Sequence, residues 1–124
     1  MVANTFGQKY LEEGDEVLLT ELEHHSNYVP WHFLRNSKKI KIEFAEINEA
    51  GEITIEAIKN KITSKTKIIS VTHLSNVTGA ILPIKEIVEL AHSKNIPVLV
   101  DGCQGAPHLK LDMQELDCDF YAIS

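Results

Sequence analysis

The sequence predicts an α/β domain: a mostly parallel sheet covered by helices on both faces, in three α-β-α layers. Three observations carry the prediction. Short apolar runs alternate with helical patterns along the whole chain. No repeat, low-complexity tract or flexible linker breaks the alternation. The 124 residues, 44% of them apolar, suffice for one core of this kind.

The elements follow in order. Residues 3–13 (ANTFGQKYLEE) read as the tail of a helix, and residues 17–20 (VLLT) as a strand after Gly14 and Asp15. Pro30 suits the first turn of a helix leading into WHFLRNSKK, with Ser26 or Asn27 as its cap. Residues 39–44 (KIKIEF) alternate with period two, as in a half-covered strand, and residues 48–51 (NEAG) form a turn. Thr54 caps a helix that places Ile55, Ile58 and Ile62 on one face. Residues 67–71 (KIISV) are a strand. Residues 83–95 give the strongest helical pattern, with Ile84, Ile87, Val88 and Ala91 at i, i+3, i+4 and i+7, and with Asn95 as the stop. Two strands close the chain, at 97–100 (PVLV) and 120–124 (FYAIS).

Composition excludes several classes. Twelve Lys and Arg against 18 Asp and Glu leave a net charge of −6, the wrong sign for a nucleic acid or an anionic membrane surface. No apolar run approaches the roughly 20 residues of a membrane helix. The start, MVANTFGQKYLEEGDE, has neither the charged nor the long apolar region of a secretory signal. Cys103 and Cys118 are too few for a disulfide framework or a CxxC metal site, so a reduced, cytoplasmic setting is expected. Neither has an obvious activating base, and both read as ordinary thiols.

Ligands of open parallel sheets collect at the carboxyl ends of the strands. Four strand ends here carry polar residues: ELEHHSN from Glu21, THLSNVTG from Thr72, DGCQG from Asp101, and Ser124. If the strands are adjacent, these groups face one crevice. Asp101 directly follows an apolar run, where an unpaired charge is costly; it pairs with a cationic ligand such as a protonated ring nitrogen, or it caps a turn with Gly102. Gln104 reaches the same ligand or is an ordinary loop residue. His24 and His25 beside Glu23 suit a zinc site, an acid–base group or aromatic lid, or plain hydrogen bonding in a loop. Asn76 orients a ligand or holds the turn before Gly79, and His73 is open in the same way. His32, His92 and His108 belong to no constellation and read as surface. The chain has no GxGxxG, no GxxxxGK[ST] and no GxSxG.

Taken together, EHHSNYVPW at 23–31, THLSNVTGAILPI at 72–84, VLVDGCQGAPH at 98–108 and LDCDFYAIS at 116–124 resemble consecutive blocks of the cysteine desulfurases, in the sulfur-mobilising, selenocysteine-lyase-like branch of the class V aminotransferases. The resemblance covers essentially the whole chain. It implies part of the large domain of the fold-type I transferases, which bind pyridoxal 5′-phosphate (PLP). It further implies that Asp101 pairs with the pyridinium nitrogen and Gln104 with the phenolic oxygen. His24 would stack over the ring and take part in proton transfer. Asn76 would bind the cofactor, near its oxygen and the substrate carboxylate, and Ser124 would contact the phosphate. No metal ligand is implied.

In that family a Gly- or Ala-His-Lys follows the serine matched by Ser124, and its Lys forms the Schiff base. That lysine, the upstream phosphate loop and the small C-terminal domain with its persulfide-forming cysteine have no counterpart in residues 1–124. The expectation is therefore a partial large domain, inactive alone. The whole enzyme would take L-cysteine to L-alanine as a homodimer and pass sulfur to an acceptor protein for iron–sulfur cluster assembly. A selenocysteine lyase is the neighbouring alternative. A non-catalytic α/β domain, interacting with a partner or holding a metal at His24, His25 and Asp101, is the distant one.

Overall fold

The computed structural model describes all 124 residues. A π-helical turn (Ala3–Gly7) runs into α1 (Gln8–Tyr10), followed by β1 (Glu16–Thr20), α2 (His25–Lys38), β2 (Lys41–Ala45), α3 (Ile55–Lys61) and β3 (Thr66–Thr72). The second half comprises α4 (Ile84–His92), β4 (Val98–Asp101), α5 (Gly105–His108), α6 (Met113–Leu116) and β5 (Phe120–Ala122). All strand pairs are parallel, in the order β2-β1-β3-β4-β5.

The alternation of side chains across each strand divides the core in two. Leu18, Ile69, Val71, Val98 and Val100 point to one face and pack with Ile58 of α3 and with Ile84, Ile87, Val88 and Ala91 of α4. Val17, Leu19, Ile68 and Leu99 point to the other, against Trp31 and Leu34 of α2 and the N-terminal Ala3 and Leu11. Continuous apolar runs are what a parallel strand covered on both sides requires, and every residue of β1 and β4 is buried.

Several boundaries differ from expectation. Helix α2 begins at His25, not at Pro30. His24, in an extended conformation, caps it by accepting the Ser26 N–H, while the Asn27 side chain is used for contacts across the helix–sheet interface. Pro30 therefore lies inside the helix, where it lacks the N–H that would reach the Ser26 carbonyl. The next strand starts at Lys41, because Lys39 adopts φ 58° to end α2 and Ile40 turns into the core. Strand β5 ends at Ala122, short of Ser124. Helix α4 ends at His92, and Asn95, at φ 57°, makes the turn that brings Ile96 N–H to the Ala91 carbonyl. Thr54 caps α3 as expected, accepting the Ala57 N–H at 3.1 Å, and Asn48 organises the turn through Ala50 and Glu52. No helix is long and apolar enough to cross a membrane.

Candidate active site

The chain leaves β1 in one direction to form β2 and then crosses back to β3, β4 and β5 on the other side. Crossovers of opposite sense splay the loops at the carboxyl ends of β1 and β3, which makes this point the natural crevice of an open parallel sheet. The crevice holds a cavity of about 290 Å³ lined by His24, Ser26, Thr72, Leu74, Asn76, Asp101, Cys103, Gln104 and Ser124. His24, Asn76, Asp101, Gln104 and Ser124 come from loops spread over a hundred residues, and the fold brings all five to this one wall set. A larger apolar groove beside β5, floored by Trp31, Leu99 and Phe120, shares Asp101, Cys103 and Ser124 with it.

Each residue is placed by its element. Asp101 ends β4, 7% exposed, and pairs in register with Thr72 and Ala122. Its Oδ1 accepts the Cys103 N–H at 3.1 Å, and no protein donor reaches Oδ2. A carboxylate at a buried strand end with one unengaged oxygen facing a cavity fits a cationic ring N–H. His24 lines the same cavity as the cap of α2. Its Nδ1 accepts the Ser26 N–H at 3.2 Å and lies 2.9 Å from Ser26 Oγ, so a neutral ring carries its proton on Nε2. Gln104 precedes α5 and makes no capping bond there, which leaves its amide for the cavity. Ser124 Oγ lies 3.2 Å from Cys103 Sγ across the floor.

Two supporting residues, Glu23 and Tyr121, carried no comparable sequence signal. The Glu23 carboxyl accepts from Thr20 Oγ1 and Asn27 Nδ2, each at 2.6 Å, and from the Thr72 N–H at 3.0 Å. Burial pushes this carboxyl up to about 7 despite those three donors, and the negative charge of Asp101 adds to the rise. Tyr121, read as one apolar residue of a strand, lies under the DGCQG loop. A β-carbon on Gly102 would fall inside its ring, and one on Gly105 would lie 2.7 Å from its hydroxyl. The hydroxyl lies 2.9 Å from Nδ1 of the buried His73, and burial lowers the pKa of His73 and raises that of Tyr121.

The remaining candidates separate from the site. His25 lines a different hollow, with Glu21 and Tyr28. No group of three or more His, Cys, Asp or Glu is arranged to hold a metal ion, which removes the geometric basis for a metal at His24, His25 and Asp101. His92 is not isolated on the surface as expected: Nε2 pairs with Asp119 at 2.9 Å and Nδ1 with Asp117 at 3.7 Å, at the opposite end of the sheet. His32 lies 3.3 Å from the Tyr28 hydroxyl on α2. Cys103 and Cys118 are both free thiols.

The family signature described as Aminotransferase class-V matches residues 1–124. The chain belongs to the class V aminotransferases. Within that family it is 45% identical, over its whole length, to a probable cysteine desulfurase of Halalkalibacterium halodurans, of which it covers 30%. Among solved structures of the family it superposes on the cysteine desulfurase CsdA of Escherichia coli with a TM-score of 0.95 and 35% identity, covering all of this chain and 31% of that one. A C-DES variant with glycine covalently linked to its PLP cofactor matches with a TM-score of 0.85 and 29% identity, over 93% of this chain and 31% of that one. The chain thus spans about a third of the length of these class V relatives.

Proposed function

We propose that residues 1–124 form part of the PLP-binding large domain of a cysteine desulfurase, which converts L-cysteine to L-alanine and transfers the sulfur. The observation that carries the reading is the convergence of His24, Asn76, Asp101, Gln104 and Ser124 on one cavity at the switch point of the sheet. The names and whole-chain identity of the class V relatives support the substrate. PLP, bound in this cavity, supplies an electron sink for negative charge that develops on the amino acid.

The chain's own residues prepare that chemistry. Asp101 Oδ2 accepts the ring N–H of the cofactor and, by its charge, keeps the proton on that nitrogen. The Gln104 amide would donate to the phenolic oxygen. Ser124 Oγ donates to the phosphate, and Asn76 Nδ2 donates to the oxygens of the substrate carboxylate. His24 would stack on the ring and holds a transferable proton at Nε2, because Nδ1 is occupied by the Ser26 N–H. The lysine, arginine and persulfide-forming cysteine of the reaction belong to parts of the enzyme outside residues 1–124. The homodimer interface of the whole enzyme is supplied only partly by this segment, and the sulfur passes to an acceptor protein serving iron–sulfur cluster assembly. Two free thiols accord with a reducing, cytoplasmic setting.

The test uses the complete gene product carrying this chain. It should purify with, or take up, PLP and show the visible absorbance of the bound cofactor, and it should release alanine from L-cysteine. Asp101→Ala should weaken PLP binding about 10- to 100-fold, the scale of one charge-assisted hydrogen bond. Unaltered binding and spectrum in that variant would remove Asp101 from its role, and no alanine from the unsubstituted protein would exclude the desulfurase.

A further inference from the structure

The Glu23 carboxyl ties three elements together by hydrogen bonds. Thr20 Oγ1 donates to its Oε1 from the end of β1, the Thr72 N–H donates to the same oxygen from the end of β3, and Asn27 Nδ2 donates to Oε2 from the first turn of α2. The link continues inward, because Asn27 Oδ1 accepts from Ser70 Oγ at 2.6 Å, fully inside the sheet. Two residues of this brace adjoin the proposed cofactor residues. Glu23 directly precedes His24. Thr72 is the register partner of Asp101, and the next N–H, of His73, donates to the Asp101 carbonyl at 2.9 Å. His24 and Asp101 both line the cavity and make no hydrogen bond to each other.

We infer that Glu23 is a positioning residue: by tying the turn before His24 to the strand end beside Asp101, it sets the separation of these two cofactor-binding residues. This rests on the PLP reading of the cavity and adds to it a residue that does not touch the ligand. A carboxyl group suits the place, because both of its oxygens accept hydrogen bonds there. Glutamine can replace it by reversing one chain of bonds. Its carbonyl keeps Thr20 and Thr72, its amide donates to Asn27 turned over, and the Asn27 amide then donates to the Ser70 oxygen. Alanine keeps none of these, and leaves the Thr72 N–H and the Asn27 amide without partners.

The experiment compares Glu23→Gln, Glu23→Ala and the unsubstituted complete gene product by PLP titration, by the visible spectrum of the bound cofactor, and by amide hydrogen exchange. Glu23→Ala should weaken PLP binding by about tenfold or more, the scale of one or two buried hydrogen bonds. It should shift the absorbance maximum and speed exchange at Ser26, Thr72 and His73, while exchange in β2 and α4 stays unchanged. Glu23→Gln should restore affinity to within about threefold and return exchange to the unsubstituted rates. The inference is overturned if Glu23→Ala binds PLP with unchanged affinity and spectrum, if exchange accelerates throughout the chain, or if Glu23→Gln fails as badly as Glu23→Ala. An unsubstituted protein that takes up no PLP would sink the cofactor reading instead. Exchange at Ser26 and Thr72 would then still report whether Glu23 holds the turn and the strand end together, and unchanged rates there would sink the brace as well.

Discussion

A carboxyl group surrounded by three donors and yet resistant to ionisation shows desolvation outweighing hydrogen bonding at a single residue. Glu23 is pushed from 4.5 to about 7. Between those values the folded chain holds a proton that the unfolded chain has released. The stabilisation from this group is therefore complete below its unfolded value and is withdrawn as pH rises through about 7. The amount is on the order of 3 kcal/mol. Urea denaturation at about pH 5 and pH 8 should show a drop in midpoint across this window that is absent from Glu23→Gln, other groups being common to both. An equal drop in the variant would assign the slope to other carboxyls. Gly102 is a second residue-scale constraint. Gly102→Ala drives a methyl into the Tyr121 ring and should cost about 1–3 kcal/mol by thermal or urea unfolding, as overpacking does. A variant of unchanged stability would mean that the ring moves freely.

At the scale of elements, residue identity explains both what could be read in advance and what could not. The strands were legible because a parallel strand buried on both faces leaves an unbroken apolar run, as in residues 17–20 and 97–100. Helix α4 was legible because Ile84, Ile87, Val88 and Ala91 keep the helical period and are all buried. The start of α2 was not. Pro30 signals a first turn, while the cap is a histidine, a residue type outside the usual capping set. Asp101, Asn76, Gln104 and Ser124 stood out as polar residues just beyond apolar runs. Glu23 did not stand out beyond its neighbours, because a buried carboxyl within a polar stretch leaves no periodic trace. Tyr121 was hidden as one more apolar residue. The cap of α3 gives an element-scale prediction. Thr54→Ala removes the acceptor for the Ala57 N–H and should cost about 1 kcal/mol, whereas Thr54→Asn should cost little, both measured by chemical denaturation. Equal losses in the two variants would point to packing rather than capping.

Over the whole molecule, the two ends of the sheet have different duties. The carboxyl ends gather the polar cavity, while the faces of the sheet carry two apolar cores that none of His24, Asn76, Asp101, Gln104 and Ser124 enters. Stability and ligand binding should therefore separate. Ile58→Ala, a fully buried change in α3, should destabilise by about 2–5 kcal/mol. It should leave PLP affinity of the complete gene product unchanged. A parallel loss of affinity in the still-folded variant would show that the α3 face and the cavity are coupled. The strand order also has a kinetic side. During synthesis β1, β2 and β3 emerge first, and β3 then offers an unpaired edge carrying Ile68, Ile69 and Val71 until β4 arrives, 98 − 72 = 26 residues later. At the ordinary pace of translation that is on the order of seconds. An open apolar edge is a template for pairing with a neighbouring nascent chain. Chains released just before β4 should therefore aggregate faster than chains that include β4, in which β3 is paired on both sides.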